Sequence, residues 1–208
     1  MKLLPSHHVI SASTDGLIAV HDLSRGLKDD DDNFAAALNV GTSVEEVGLY
    51  GEEGEKLWIR TGTESLLLWE WRLAASNAQE GGDEAFASWP EARATAIEAA
   101  AGSPAGSALV EVDYLVGCHY DRGARSLSLM AGTNAGAVGF FPLHEQRQGG
   151  AAASSPLSGA VMASPVMLVQ GAHSDVIRSV RCFGSGQVGF IASIDYAFHL
   201  QDAACSLL

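Results

Sequence analysis

The sequence is short of cationic side chains. Twelve lysines and arginines stand against 25 aspartates and glutamates, a formal net charge of −13 over 208 residues. A phosphate backbone is bound by clustered Lys and Arg, so this balance argues against a nucleic-acid partner and fits a basic protein. Long apolar runs are also missing. Nothing approaches the roughly 18 residues that a membrane helix needs, and "MKLLPSHHVI" is too short an apolar stretch for a secretory signal. Cysteine is scarce. Cys118, Cys182 and Cys205 are an odd number without metal spacing, which reads as an intracellular, reduced protein, cytoplasmic or nuclear. No Asn-x-Ser/Thr acceptor occurs.

Catalytic and metal motifs are equally thin. Seven histidines are present, but no C-x-x-C, H-x-x-x-H or acidic-His cluster falls at ligand spacing. Nothing resembles G-x-S-x-G. "GTNAG" (132–136) sits between two strand-like runs rather than before a helix, so it reads as a turn and not as a phosphate cradle. The expectation is a non-enzyme without cofactor or metal.

What the chain does contain is repetition. "VISASTDGLIAVHDL" (9–23) reads as a hairpin, with apolar residues alternating about an Asp-Gly turn. "ASTDGLIAVHD" (12–22) and "ASIDYAFHLQD" (192–202) share Ala, Ser and both Asp at one offset. "TGTESLLLWEW" (61–71) and "AGTNAGAVGFFPL" (131–143) have the same form, a small polar turn followed by an apolar strand. A second strand precedes three of these hairpins: "SVEEVGLY" (43–50), "DYLVGCHY" (113–120) and "DVIRSVRC" (175–182). The distance from its first residue to the turn is nearly constant, from 43 to 64, 113 to 134 and 175 to 195. Ahead of each lies another short apolar run, "FAAALNV" (34–40), "ALVEV" (108–112) and "VMLVQGA" (166–172). The repeating unit is four short strands, over 34–71, 108–142 and 166–202, with a half unit at 9–23.

Four antiparallel strands in about 40 residues is the size of a propeller blade. "GAHSDVIRSV" (171–180) resembles the Gly-His opening of a WD repeat, and "LLLWEW" (66–71) resembles its Trp-Asp close, with Glu70 for Asp. "DYLVGCHY", "AGTNAGAVGFFPL" and "GAHSDVIRSVR" together resemble the C-terminal half of the WD repeat-containing protein 89 family. His21, Phe141 and Gln201 depart from the usual Trp. The resemblance implies an all-β fold, a partial WD-repeat β-propeller of three and a half blades, and a non-catalytic protein-interaction scaffold. It also implies a structural hydrogen-bond network in which a Gly-His histidine, a strand serine and a turn aspartate join within a blade. The matching residues are His173, Ser193 and Asp195, with Ser13 and Asp15 at the repeat-equivalent places of the opening hairpin.

Two segments fall outside the repeat. Residues 74–107 form one insert, within which "SWPEARATAIEAAAG" predicts a helix over 89–101, opened by Pro90 and stopped by Gly102. Residues 146–165 have the composition of a flexible linker. "KDDDDN" (28–33) reads as a solvated acidic loop. Propellers close with about four to eight blades. Half a ring therefore implies open edges that expose Val9, Ile18 and Val20 and invite self-association. It admits two alternatives to the scaffold, a truncated fragment of a longer propeller or part of a propeller enzyme.

Overall fold

The structure is a computed structural model. It describes residues 2–3, 7–26, 30–76, 84–149, 156–170, 174–183, 189–194, 197–199 and 205–207. Its contacts divide it into two units, 1–90 and 91–208.

Unit 1 holds two four-stranded antiparallel meanders. Sheet A is formed in order by β1 (Lys2–Leu3), β2 (His8–Ala12), β3 (Leu17–Asp22) and β4 (Phe34–Asn39). Sheet B is formed by β5 (Val44–Tyr50), β6 (Lys56–Thr61), β7 (Leu66–Trp69) and β8 (Ala87–Trp89). Period-2 patterning explains the packing. Ile10, Ile18, Val20, Ala36 and Leu38 leave sheet A on one face and meet Val44, Leu57, Ile59 and Trp69 of sheet B. Each fully buried Leu or Ile contributes roughly 1.5–3 kcal/mol. A four-residue helix α1 (Asp30–Asn33) precedes β4. Buried Asn33 ties it down, its Nδ2 donating to the Asp22 and Gly26 carbonyls at 2.8 and 3.0 Å. Helix α2 (Trp71–Ala75) follows β7, with Trp71 fully buried in the same core.

Unit 2 begins with helix α3 (Ala92–Ala100). Sheet C contains β9 (Tyr114–Asp121), β10 (Ser126–Gly132), β11 (Val138–Arg147), β12 (Leu157–Met162) and β13 (Met167–Val169). The long β11 is shared. Its first three residues pair with β13 and its last five with β12. Sheet D is a three-stranded meander of β14 (Val180–Phe183), β15 (Gly189–Ile194) and β16 (Ala197–His199). A last strand, β17 (Cys205–Leu207), pairs with β13 of sheet C. Sheet C is buried on both faces, which is why "LMAG" and "VGFFPL" run apolar without alternation. One face, with Val116, Met130, Val138, Phe140, Met167 and Val169, packs on Ile177 and the β14 residues Val180 and Cys182. The other face carries Leu129 and Phe141.

The sheets group the strands differently from the sequence units, by an offset of one strand. Residues 34–39 open a sequence unit, yet they close sheet A by pairing with the opening hairpin. The hairpin expected as a lone half blade is thus the middle of a four-stranded sheet. Ile18 and Val20, expected to be exposed, are fully buried under sheet B, and Val9 is half-buried. The described residues form four sheets. "ALVEV" (108–112) is not a strand. Leu109 and Val112 are buried as irregular backbone, and the strand that finishes sheet B is Ala87–Trp89, inside what reads as an insert. Three residues with only two inward side chains are too short for a periodicity signal. The helix runs over 92–100 rather than 89–101, because Trp89 is committed to β8. Residues 157–162, inside the expected linker, are strand β12.

Candidate interaction surface

Three hairpin turns share one build. In Ser13–Leu17, Thr61–Ser65 and Thr133–Ala137, the first residue's N–H donates to the carbonyl of the fifth, at 3.0, 3.1 and 2.9 Å. The fourth residue's N–H returns to the first carbonyl, at 3.2, 2.9 and 3.0 Å. That fourth residue has positive φ in every case: Gly16 at 88°, Glu64 at 58° and Gly136 at 79°. This is a type I turn closed by a left-handed residue, a common hairpin connection. A hydroxyl residue in the first place satisfies an inner N–H. Thr61 Oγ1 accepts from Ser65 N–H at 3.1 Å, and Thr133 Oγ1 from Ala137 N–H at 3.2 Å. Thr61 is wholly buried and also bonds the hydroxyls of Ser65, at 2.6 Å, and Thr63, at 3.0 Å.

In unit 1 the turns of sheets A and B are clamped to the connection 40–43. Val40 N–H donates to Gly16 O at 2.9 Å, Val44 N–H to Ser13 O at 3.4 Å and Gly62 N–H to Ser43 O at 2.9 Å. A fixed rim results. It presents exposed Asp15, Glu45 and Glu46, with half-buried Glu64 beside them. The cation among its described residues is Arg60, held by Glu46 at 3.6 Å. The rim is therefore acidic, and it is positioned by backbone rather than by long side chains.

In unit 2 the corresponding turn is held from below. The Asp113 carboxylate accepts Asn134 N–H at 2.6 Å, and Arg93 of α3 donates to the Asp113 carbonyl at 2.9 Å. Tyr114 Oη donates to the Thr133 carbonyl at 3.3 Å and accepts Ile177 N–H at 2.7 Å, tying sheet C to the segment before β14. Burial pushes the Tyr114 hydroxyl above its ordinary pKa, so it stays protonated and can keep donating. Asp121, in the β9–β10 turn, sits below the ordinary carboxylate range because Ala124 and Gly123 N–H groups donate to it. Asp22 is lowered in the same way by Ser24. Partial burial lowers His119.

Of the residues expected in a structural network, the Ser13 and Asp15 side chains bond within their own turn. Ser13 Oγ accepts Asp15 N–H at 3.4 Å, and Asp15 Oδ1 accepts Leu17 N–H at 2.9 Å, both on the exposed surface. Ser193 lies in β15, its backbone opposite Phe198. His173 and Asp195 lie outside the described residues. Thr61 and Thr133 were not singled out by the repeat. The available signal was a Ser or Thr three residues before the left-handed position, shared by Ser13, Thr61 and Thr133. Among the described residues no group of three His, Cys, Asp or Glu is arranged to hold a metal ion, and no helix is long and apolar enough to cross a membrane.

No protein-family model matches the chain. It is 32% identical over 174 residues, 83% of its length, to WD repeat-containing protein GTS1 of Arabidopsis thaliana. It is 26% identical over 129 residues, 62% of its length, to the WD repeat-containing protein 89 homolog of Dictyostelium discoideum. The chain belongs to the WD-repeat family. Its all-β fold is a partial WD-repeat β-propeller. The chain spans about a third of those relatives, 36% and 31% of their lengths. A chain of a crystal structure of active polycomb repressive complex 2 in the basal state aligns over 89% of it, with TM-score 0.50 and 10% identity. The Chaetomium thermophilum Sqt1 aligns over 91% with TM-score 0.49 and 13% identity. In this WD-repeat chain the three matched turns are a recurring connection, joining β2 to β3, β6 to β7 and β10 to β11.

Proposed function

We propose that the chain is a non-catalytic protein-interaction scaffold whose blade rim receives a basic segment of a protein partner. The observation that carries this reading is the rim of unit 1. Asp15, Glu45 and Glu46 project from backbone fixed by inter-turn hydrogen bonds, and Arg60 is already engaged by Glu46. A rigid acidic surface attracts cationic partners at long range and loses little entropy on binding. The WD-repeat relatives support a scaffold role, and the net charge of −13 favours a basic partner over nucleic acid.

The test measures association of the full chain with Lys/Arg-rich peptides and with charge-reversed controls. Binding confined to the cationic peptides is expected, with a slower on-rate for the triple variant Asp15→Asn, Glu45→Gln, Glu46→Gln. Equal binding of both peptide classes, or a triple variant that binds at the wild-type rate, would reject the rim as the contact.

A further inference from the structure

The β9–β10 hairpin is cationic in an acidic chain. Asp121 and Ser126 are paired, which leaves a four-residue loop, Arg122-Gly123-Ala124-Arg125. Both arginines are exposed, one at the first loop position and one at the last. From 122 to 174 the sequence holds three arginines and one acidic residue, Glu145, although the whole chain carries a net charge of −13. The third arginine, Arg147, and Glu145 lie on β11, whose Leu143 is opposite Leu127 of β10. The loop is fixed from within. The Asp121 carboxylate accepts the Gly123 and Ala124 N–H groups at 2.7 and 3.0 Å, so its charge is answered by backbone. Arg125 has a φ of 51°, in the left-handed region. In the turns 13–17 and 133–137 the residue in that conformation is glycine, Gly16 or Gly136. A non-glycine residue held there is strained, and such strain clusters at ligand sites. Glu64, in the same conformation, stands at the acidic rim of unit 1.

We propose that this hairpin is a second interaction surface, on which Arg122 and Arg125 together receive a phosphorylated side chain of a protein partner. A phosphoryl group brings roughly two negative charges and three acceptor oxygens to one point. Two guanidinium forks on one short loop match that charge and that number of acceptors. Each fork has five N–H donors, enough to serve an intramolecular partner and a ligand together. A carboxylate carries a single charge, and a carboxylate-rich segment spreads its charges over a chain that repels them. Nucleic-acid binders engage about six to ten phosphates, far more than two arginines in a −13 chain supply. Arginine clusters of this size read phosphorylated peptide motifs. The surface is separate from the one that receives a basic segment. It lies at the other end of β10 from the Thr133–Ala137 turn, and it calls for the opposite charge.

The test follows fluorescence anisotropy of labelled peptides with the full chain at about 50 mM salt, where screening is weak. One peptide carries phosphoserine among uncharged neighbours; two controls have Ser or Glu in its place. The phosphopeptide alone should bind. Arg122→Gln combined with Arg125→Gly should weaken that binding about tenfold. Arg25→Gln, which removes an exposed arginine of unit 1, should bind as wild type. Arg125→Gly alone should bind more weakly, yet unfold at the same urea concentration or a higher one, because glycine fits the left-handed backbone. Failure of the phosphopeptide to bind, equal binding of the Glu or Ser control, or unchanged binding by the double variant overturns the proposal. A loss as large in Arg25→Gln would also overturn it, since the attraction would then be one of net charge. So would an Arg125→Gly chain that unfolds at lower urea, since Arg125 would then be structural. Tighter binding of a single-stranded oligonucleotide than of the phosphopeptide would put nucleic acid in the partner's place and overturn it as well.

Discussion

Thr61 shows how much a single hydroxyl can hold. It is fully buried, accepts the Ser65 N–H and bonds two further hydroxyls. Thr61→Val keeps the shape and removes the acceptor, so Ser65 N–H loses its partner. The expected cost is about 1–3 kcal/mol. Ser13→Ala, at the same place in an exposed turn, should stay within about 0.5 kcal/mol. Urea unfolding of both variants checks the contrast, and equal costs would mean that burial does not distinguish the two turns. Gly16 gives a second prediction. Its φ of 88° and the Thr42 carbonyl oxygen, 2.9 Å from where a Cβ would sit, both oppose a side chain. Gly16→Ala should destabilise by at least about 1 kcal/mol. The "TDG" turn was readable in the sequence, because Asp-Gly between apolar runs has a local mechanism. The burial of Thr61 was not, because it depends on sheet packing that no local pattern encodes. His119 adds a pH dependence. Burial lowers its folded pKa below the ordinary 6.5, against a smaller opposing pull from Asp121. Above that value the ring is neutral in both states. As pH falls below it the unfolded chain takes the proton first, so stability declines until the folded ring also titrates. Replacing His119 with Asn should flatten the stability profile between about pH 7 and 5, as read by unfolding midpoints across that range.

At the scale of elements, the sequence revealed strands long enough for their inward residues to set a period, and it missed those with too few inward residues to do so. β5 and β9 were legible as "SVEEVGLY" and "DYLVGCHY", and β7 and β11 as the apolar runs that follow the two small polar turns. Helix α3 was legible from Pro90 and Gly102, with an error of three residues at its start and one at its end. β8 was hidden by its length and by the Ala/Gly/Ser-rich segment around it. β12 was hidden by the composition of residues 146–165. The blade grouping was hidden for another reason. A repeat read from sequence can be cut at any strand, and only hydrogen-bond partners say that Phe34–Asn39 belongs with the strand before it. β8 carries its own prediction. Trp89 is buried, and its backbone pairs with Leu66. If β8 is an integral fourth strand, Trp89→Ala should cost about 3–5 kcal/mol, as large aromatic truncations in cores do. If residues 74–107 were all insert, the same change would be nearly silent in thermal unfolding.

At the scale of the whole molecule, charge sets the sign of two different associations. The net charge of −13 makes copies of the chain repel each other, and it attracts a basic partner. Salt screens both effects, but with opposite results. Raising ionic strength from about 50 mM to about 500 mM shortens the Debye length from roughly 14 to roughly 4 Å. Homotypic contact through sheet edges depends on backbone pairing and apolar area, so removing the repulsion should strengthen it. Contact with a basic segment depends on the attraction itself, so the same salt should slow its on-rate. Light scattering coupled to size exclusion should therefore show the mass average rising with salt from the sequence mass of 21.7 kDa. The association rate with a Lys/Arg-rich peptide should fall over the same range. A mass that stays at one copy throughout would show that the edges are self-sufficient, since the repulsion opposing contact would have been removed without effect. A peptide on-rate indifferent to salt would place the contact away from the Asp15, Glu45 and Glu46 rim. The two outcomes are independent, so each proposal stands or falls on its own measurement.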